Sequence, residues 1–489
     1  MRGDGKDYDG CKHYVRNYSS FSNVTFTQAE TYLQTANSST SNTCNNGPYN
    51  WHTTSDGMQL SIVNQWNLVC DQAFQVSNAA TVYMAGFFFG CLVSSFLSDR
   101  FGRKKVVVVT GFLSGVMGVV DPLIPNLYAF LVFRFVMSVF MNIMSPTLYV
   151  LAMELCTDSV RKVMAAVFWV AYACGYATLA PIAYAAQDWR IMHIAAASPL
   201  LITPLLYWIL PESPRWLFAQ GRPTDAMNIL KQGARWNRKV SSFDKFRSSF
   251  NISTIGTLTE ESPATQSGDD TGASATESTN FFIIFKHWRL TIRTIVIFLD
   301  WFGNTFVYYG ISYLITSFSG NIFINNAISG ALEAPAYLLC YPMLLWSRKN
   351  SMALVQLIAG VAYLLYLVVP TDIHWAQLLV AFIGKLAITA SDNFKYIVTV
   401  ELYPTNIRNA AVALSSMCGR VGSMITPWVV LIAQKNPSHL WIPMVIFGVV
   451  SLACSVLSFS LPESQGQPLP ETLQDAIHYP PKCKNKRTN

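Results

Sequence analysis

Charge is scarce in this chain. Asp, Glu, Lys and Arg make up 12% of its 489 residues, against about a quarter in ordinary soluble domains, so a solvated globular surface is excluded over most of its length. Catalytic signatures are missing as well. The sequence holds no Gly-x-Ser-x-Gly elbow, no His-Glu-x-x-His helix and no phosphate loop; Gly384-Lys385 lies in an apolar run without the glycine spacing a phosphate cradle needs. No enzyme, metal or organic cofactor is expected, and with no nucleotide-binding motif any transport should run on gradients. The 34 basic against 27 acidic residues are spread over short loops and not gathered into a stripe, so no nucleic-acid partner is expected either.

Apolar sequence fills the chain instead, at 52% of residues. Runs of the roughly 18 to 25 residues that cross a bilayer fall at 75–97, 106–124, 127–151, 163–185, 191–210, 292–313, 326–346, 352–369, 375–399, 410–433 and 439–461. An odd number of spans places the termini on opposite sides of the lipid membrane. The basic loop Asp99-Arg100-Phe101-Gly102-Arg103-Lys104-Lys105 and the tail with Lys482, Lys484, Lys486 and Arg487 should be cytoplasmic, which puts the amino terminus outside.

Two signatures occur twice. Met153-Glu154-Leu155 leading to Arg161 returns as Val400-Glu401-Leu402 leading to Arg408, and Leu210-Pro211-Glu212-Ser213 returns as Leu461-Pro462-Glu463-Ser464. Repeats at a long fixed period among apolar segments mark two copies of one membrane unit. The expected organisation is an extracellular region 1–74, a five-span half 75–210, a cytoplasmic linker 211–290, a six-span half 291–462 and a cytoplasmic tail 463–489. The unequal halves carry the expectation that a first helix is missing. Within the linker, 223–237 has helical spacing of Ala226, Ile229, Leu230 and Ala234, whereas 248–280 is rich in Ser and Thr and reads as flexible.

The first region offers glycosylation acceptors at Asn17, Asn23 and Asn37 and three cysteines, Cys11, Cys44 and Cys70. Three single bridges are possible. A Cys11–Cys70 pair is expected, with Cys44 left over. The sequon at Asn251 falls in the linker and should stay unmodified.

Asp99-Arg100-Phe101-Gly102-Arg103-Lys104, Pro211-Glu212-Ser213-Pro214-Arg215-Trp216-Leu217, Glu401-Leu402-Tyr403-Pro404-Thr405, Trp66-Asn67-Leu68-Val69-Cys70 and Tyr308-Tyr309-Gly310 together resemble the motifs of the organic cation, anion and zwitterion transporters, solute carrier family twenty-two of the major facilitator superfamily. The resemblance spans most of the chain. It implies an all-α polytopic fold of two pseudo-symmetric six-helix halves, here beginning inside the loop after the first helix, and a plasma-membrane carrier. Ser95 departs from the glycine that usually opens the loop motif.

Asp99, Arg103, Glu154, Arg161, Glu212, Arg215, Arg348, Glu401, Arg408 and Glu463 fall at the cytoplasmic span ends, where charges from different helices can pair to shut an inner gate. Charges within spans are costly, so Arg134, Asp300, Glu333, Lys385, Asp392, Lys395 and Arg420 are functional candidates. Arg420 takes the position where the resemblance implies aspartate in cation carriers and arginine in anion and carnitine-type carriers. Its planar fork suits a carboxylate. Tyr337 stands where anion carriers bear lysine and is similar to the carnitine-type branch. Asp392 and Lys395 lie on one helical face and form either a private salt bridge or a site for substrate charge.

Trp169, Tyr172, Tyr176, Trp301, Phe306, Tyr308, Tyr309, Tyr337 and Tyr396 are candidates for a cage around a quaternary ammonium. The expected function is alternating-access transport of a small organic ion, a carnitine-like cation or zwitterion, with a coupling ion as a candidate further partner. An organic anion carrier and a non-transporting receptor or scaffold are the alternatives.

Overall fold

The described residues of the computed structural model are 12–14, 41–43, 58, 60–239, 281–318, 320–370, 373–435, 439–465, 467, 470 and 473–477. The acceptors Asn17, Asn23 and Asn37, the linker 248–280 with Asn251, Cys11 and Cys44 lie outside them, as do the side chains of Cys70 and Arg161.

Eleven long helical segments coincide with the eleven apolar runs. The amino-terminal half has α1 (Phe74–Phe101), α2 (Arg103–Val120), α3 (Leu127–Leu155), α4 (Asp158–Ala186) and α5 (Trp189–Ile209). The carboxy-terminal half has α6 (Trp288–Leu314), α7 (Ile322–Trp346), α8 (Arg348–Leu365), α9 (His374–Leu402), α10 (Thr405–Lys435) and α11 (Trp441–Phe459). Nine candidate spans among the described residues are long and apolar enough to cross a bilayer. The exceptions, α8 and α9, are diluted by Arg348 and Lys349 in one and by Lys385, Asp392 and Lys395 in the other.

Not every span is a plain α-helix. The α5 span changes to a tight 3-10 stretch at Ser198–Leu205, where Pro199 and Pro204 remove amide donors. The α7 span is interrupted between Ala331 and Glu333. The linker contains the expected amphipathic helix, Pro223–Trp236, which follows a short helix at Pro214–Ala219 and buries Ala226 and Met227.

Lipid supplies little hydrophobic drive between helices, so small residues and side-chain hydrogen bonds hold them. A Cβ on Gly86 would stand 1.7 Å from the Ser138 hydroxyl, and one turn along, Asn142 donates to the Phe87 carbonyl at 2.7 Å. These contacts lock α1 against α3. In the other half, Trp301, Phe394 and Val398 anchor one buried cluster, and Phe306, Tyr363 and Phe447 anchor a second.

The halves meet along two antiparallel helix pairs, α1 with α10 and α4 with α7. Ser77 donates to the Pro427 carbonyl and Thr81 to the Met424 carbonyl, each at 3.0 Å. Tyr184 meets Phe323 at 5.5 Å between ring centroids, and a Cβ on Gly330 would lie 2.7 Å from the Ala177 amide nitrogen. All these contacts lie at the end remote from the charged loops. Toward those loops Val163, Val167, Leu338 and Leu345 are exposed.

Candidate functional site

Span charges gather at mid-depth in the carboxy-terminal half, and two of the three cations already have acids. Lys385 of α9 and Glu333 of α7 are both fully buried, with Nζ 3.1 Å from Oε1. Tyr308 of α6 donates to the same oxygen at 2.5 Å, Lys385 donates to Ser312 at 2.7 Å, and Nζ lies 3.7 Å from the Tyr308 ring centroid. This network ties α6, α7 and α9 together and satisfies charges that would otherwise be costly at such depth. Tyr176 reaches it from the other half, its ring 5.9 Å from Nζ and its hydroxyl 3.4 Å from that of Ser329.

Lys395 and Asp392 pair directly, one turn apart on α9. Lys395 also donates to Thr305 at 2.9 Å and lies 4.7 Å from the Trp301 ring, while Asp392 accepts from Asn304 at 3.0 Å. The two residues that share this helical face are thus in contact with each other. Asp300 is held apart by Gln356 at 2.6 Å and Ser458 at 3.2 Å.

Arg420 differs. Its guanidinium donates to the Tyr309 hydroxyl at 3.3 Å and lies 5.1 Å from the Phe87 ring of the opposite half. Among the described residues it makes no ion pair.

Beside these charges stands an aromatic wall. Trp169 of α4 lies 5.6 Å from Tyr337, 6.3 Å from Tyr396 and 6.2 Å from Tyr172, and Tyr396 packs on Trp301 at 4.5 Å. Tyr172 remains 47% exposed. Phe306 is not part of this wall, because it stacks between Phe302 at 6.1 Å and Phe447 at 5.3 Å in the core. Tyr308 is also buried, spent on Glu333, so Tyr309 is the more available of the two neighbours.

At the charged-loop end the repeat is visible in three dimensions. Arg103 meets Glu154 at 3.3 Å and Asp99 at 3.0 Å, and Arg348 meets Glu401 at 3.2 Å. Glu212 accepts from the Lys104 amide at 3.1 Å, as Glu463 does from the Arg348 amide at 2.9 Å. Both carboxylates cap a helix start, α2 and α8. Gly102, with φ of 91°, allows Glu212 this approach, since a Cβ there would stand 2.6 Å from its Oε2. Burial alone would raise the Glu463 carboxyl, but hydrogen bonds from Ser347 and from the amides of Gln465, Arg348 and Ser464 outweigh it and hold it below its ordinary value. Arg408 donates to the Tyr403 carbonyl at 3.2 Å, and Arg215 is exposed. Every ion pair of this set joins helices or loops of one half, so among the described residues none bridges the halves.

Glu333 and Lys385 are visible in sequence as span charges, but their partnership is not, because they sit on different helices. His193 and Asp121 are missed more completely. They approach each other from α5 and the end of α2, with Nε2 3.9 Å from Oδ2, and the charge-in-a-span rule applies to Asp121 as to the others.

The chain matches the family described as sugar (and other) transporter over residues 15–475. It is 32% identical to an organic cation transporter protein of Drosophila melanogaster over 422 residues, 86% of this chain and 74% of that protein. It is 29% identical to the human organic cation/carnitine transporter 2 over 429 residues, 87% of this chain and 73% of the relative. In fold it is similar to the xylose transporter XylE from E. coli in an inward open conformation, with a TM-score of 0.61 at 16% identity, covering 82% of this chain and 90% of that one.

Proposed function

We propose, from the premise that this chain belongs to the sugar (and other) transporter family and within it to solute carrier family twenty-two, that its substrates are small zwitterions. Such a solute carries a cationic group and a carboxylate. The observation that supports this is the unequal pairing of the three buried cations. Lys385 and Lys395 are neutralised by Glu333 and Asp392, whereas among the described residues Arg420 makes no ion pair and donates to the acceptor hydroxyl of Tyr309. A bidentate guanidinium left without an acid is a receptor for a substrate carboxylate. The wall of Trp169, Tyr172, Tyr337 and Tyr396 supplies ring faces for the cationic end.

Transport then proceeds by rocking of the halves about this level. The contacts of α1 with α10 and of α4 with α7 close the end remote from the charged loops, and that end faces outside in the proposed orientation. The charged loops face the cytoplasm. Their Arg–Glu pairs and carboxylate caps make each half a rigid lever, and Asp99, Arg103, Glu154, Arg161, Glu212, Arg215, Arg348, Glu401, Arg408 and Glu463 are the proposed inner-gate set. Residues 1–74 form an extracellular region bearing glycans at Asn17, Asn23 and Asn37, and the carrier sits in the plasma membrane.

Competing uptake of a tracer zwitterion, a monovalent organic cation and a dicarboxylate in cells expressing the chain tests the reading. Zwitterion uptake should dominate. Uptake confined to the dicarboxylate would favour the organic anion alternative, for which the unpaired Arg420 is again the supporting observation.

A further inference from the structure

A second buried charge cluster lies away from the substrate level, in the outer part of the amino-terminal half. Asp121, at the end of α2, is 0% exposed, and among the described residues neither of its carboxyl oxygens has a hydrogen-bond partner. Two groups approach it without reaching hydrogen-bond distance. Arg134 of α3 places Nη1 at 3.8 Å from Oδ2, and His193 of α5 places Nε2 at 3.9 Å from the same oxygen.

The His193 ring has its other nitrogen committed. Nδ1 lies 3.0 Å from the Gly118 carbonyl oxygen, which can only accept, so Nδ1 carries the proton. In a neutral imidazole Nε2 is then a bare acceptor aimed at a carboxylate oxygen, also an acceptor. Two facing acceptors, one of them a fully buried carboxylate, are unfavourable unless a proton lies between them. Aromatic rings line the surroundings of the pair. From α1 comes the Tyr83 ring, 5.3 Å from the Arg134 guanidinium carbon; from α3 the Phe130 ring at 5.4 Å; from α5 the Trp189 ring, 6.4 Å from His193. Trp66 closes the cluster from the region before α1, packing on Phe130 at 4.9 Å and Trp189 at 5.8 Å.

We infer that Asp121, with His193 and Arg134, is a proton-binding site distinct from the substrate site, and that a proton taken up there from the outer side accompanies substrate inward. Protonation removes the buried carboxylate charge and places one proton between Asp121 and His193. Arg134 then loses its counter-charge and rests on the Tyr83 and Phe130 rings. Since Tyr83 belongs to α1, which packs against α10, the change is delivered to the interface between the halves.

The inference rests on the transport reading only for its uptake arm, so two measurements are paired. Infrared difference spectra of the purified full chain, titrated between about pH 5 and about pH 8, where displaced carboxylates and imidazoles change charge, should show a protonated carboxyl C=O band that grows as pH falls. The band should be absent in Asp121→Asn and displaced in Asp121→Glu. Uptake normalised to surface protein should be about fivefold higher near pH 5 than near pH 8 outside, flat in Asp121→Asn, and still pH-dependent in Asp121→Glu, which separates loss of the proton from loss of folding. The same carboxyl band in Asp121→Asn as in the parent, or an unchanged uptake profile in that variant at normal surface level, overturns the site. A band that behaves as stated with no uptake of any test solute retains the proton site and refutes the substrate reading alone.

Discussion

The Arg420 guanidinium donates to the Tyr309 hydroxyl at 3.3 Å, and this neutral contact stands where a carboxylate partner would be expected for a cation so deep in the fold. Arg420 thereby keeps its charge available across the gap to α1. Arg420→Lys retains the charge but loses the planar fork, and should raise KM for a zwitterion about tenfold, matching roughly 1.5 kcal/mol for a hydrogen bond to a charged group. Arg420→Asp should reject carboxylates and admit simple cations. Tracer uptake of a zwitterion and a monovalent cation, normalised to surface protein, gives the ratio; equal loss of both would point to a purely structural arginine.

The Glu333–Lys385 pair is sealed on both sides. Removing one partner strands the other charge, so Lys385→Met and Glu333→Gln alone should each destabilise the protein by on the order of 3 kcal/mol, and the double substitution should recover most of the loss. Thermal unfolding of the purified protein reads this directly. Additive losses in the double variant would mean that the two charges do not compensate each other.

At the charged loops Glu463 carries the pH signature. Its folded-state pKa lies below the ordinary value, burial being outweighed by the Ser347 hydroxyl and three backbone amides. A depressed acid contributes stability that is fully present above its unfolded pKa and is lost as pH falls through the depressed folded value. Glu463→Gln should therefore be less stable at neutral pH and show a flatter acid limb. A melting temperature that follows the parent at every pH would exclude a contribution from this cap.

The proposed orientation predicts that a tag at the amino terminus is accessible on intact cells and one after Asn489 only after permeabilisation. Triple substitution of Asn17, Asn23 and Asn37 to Gln should abolish the mobility shift produced by glycosidase treatment. Both tags on the same side would remove the eleven-span arrangement.

Much of this architecture is legible in the chain itself, because the properties concerned are local. Apolar run length sets the spans, and α8 and α9 are found by length although their charges dilute them. The duplicated Glu154 and Glu401 segments announce two halves, and the loop motifs carry the family. What the sequence could not decide is which charge meets which. Asp392 and Lys395 share a helical face, so their pairing is one of two readings available from spacing alone. Lys385 and Glu333 stand on separate helices, and only the rotation and depth at which α7 and α9 pack bring Nζ to 3.1 Å from Oε1. Among the described residues Arg420 makes no ion pair for the same reason, its neighbours being the Tyr309 hydroxyl and the Phe87 ring. His193, alone in the sequence, gains Asp121 through the packing of α5 on α2. Helix existence is written in hydrophobicity along the chain, whereas ion partnership at mid-membrane depends on the register between helices far apart in it, and that register is settled by close contacts such as Gly86 on Ser138 and Gly330 on Ala177.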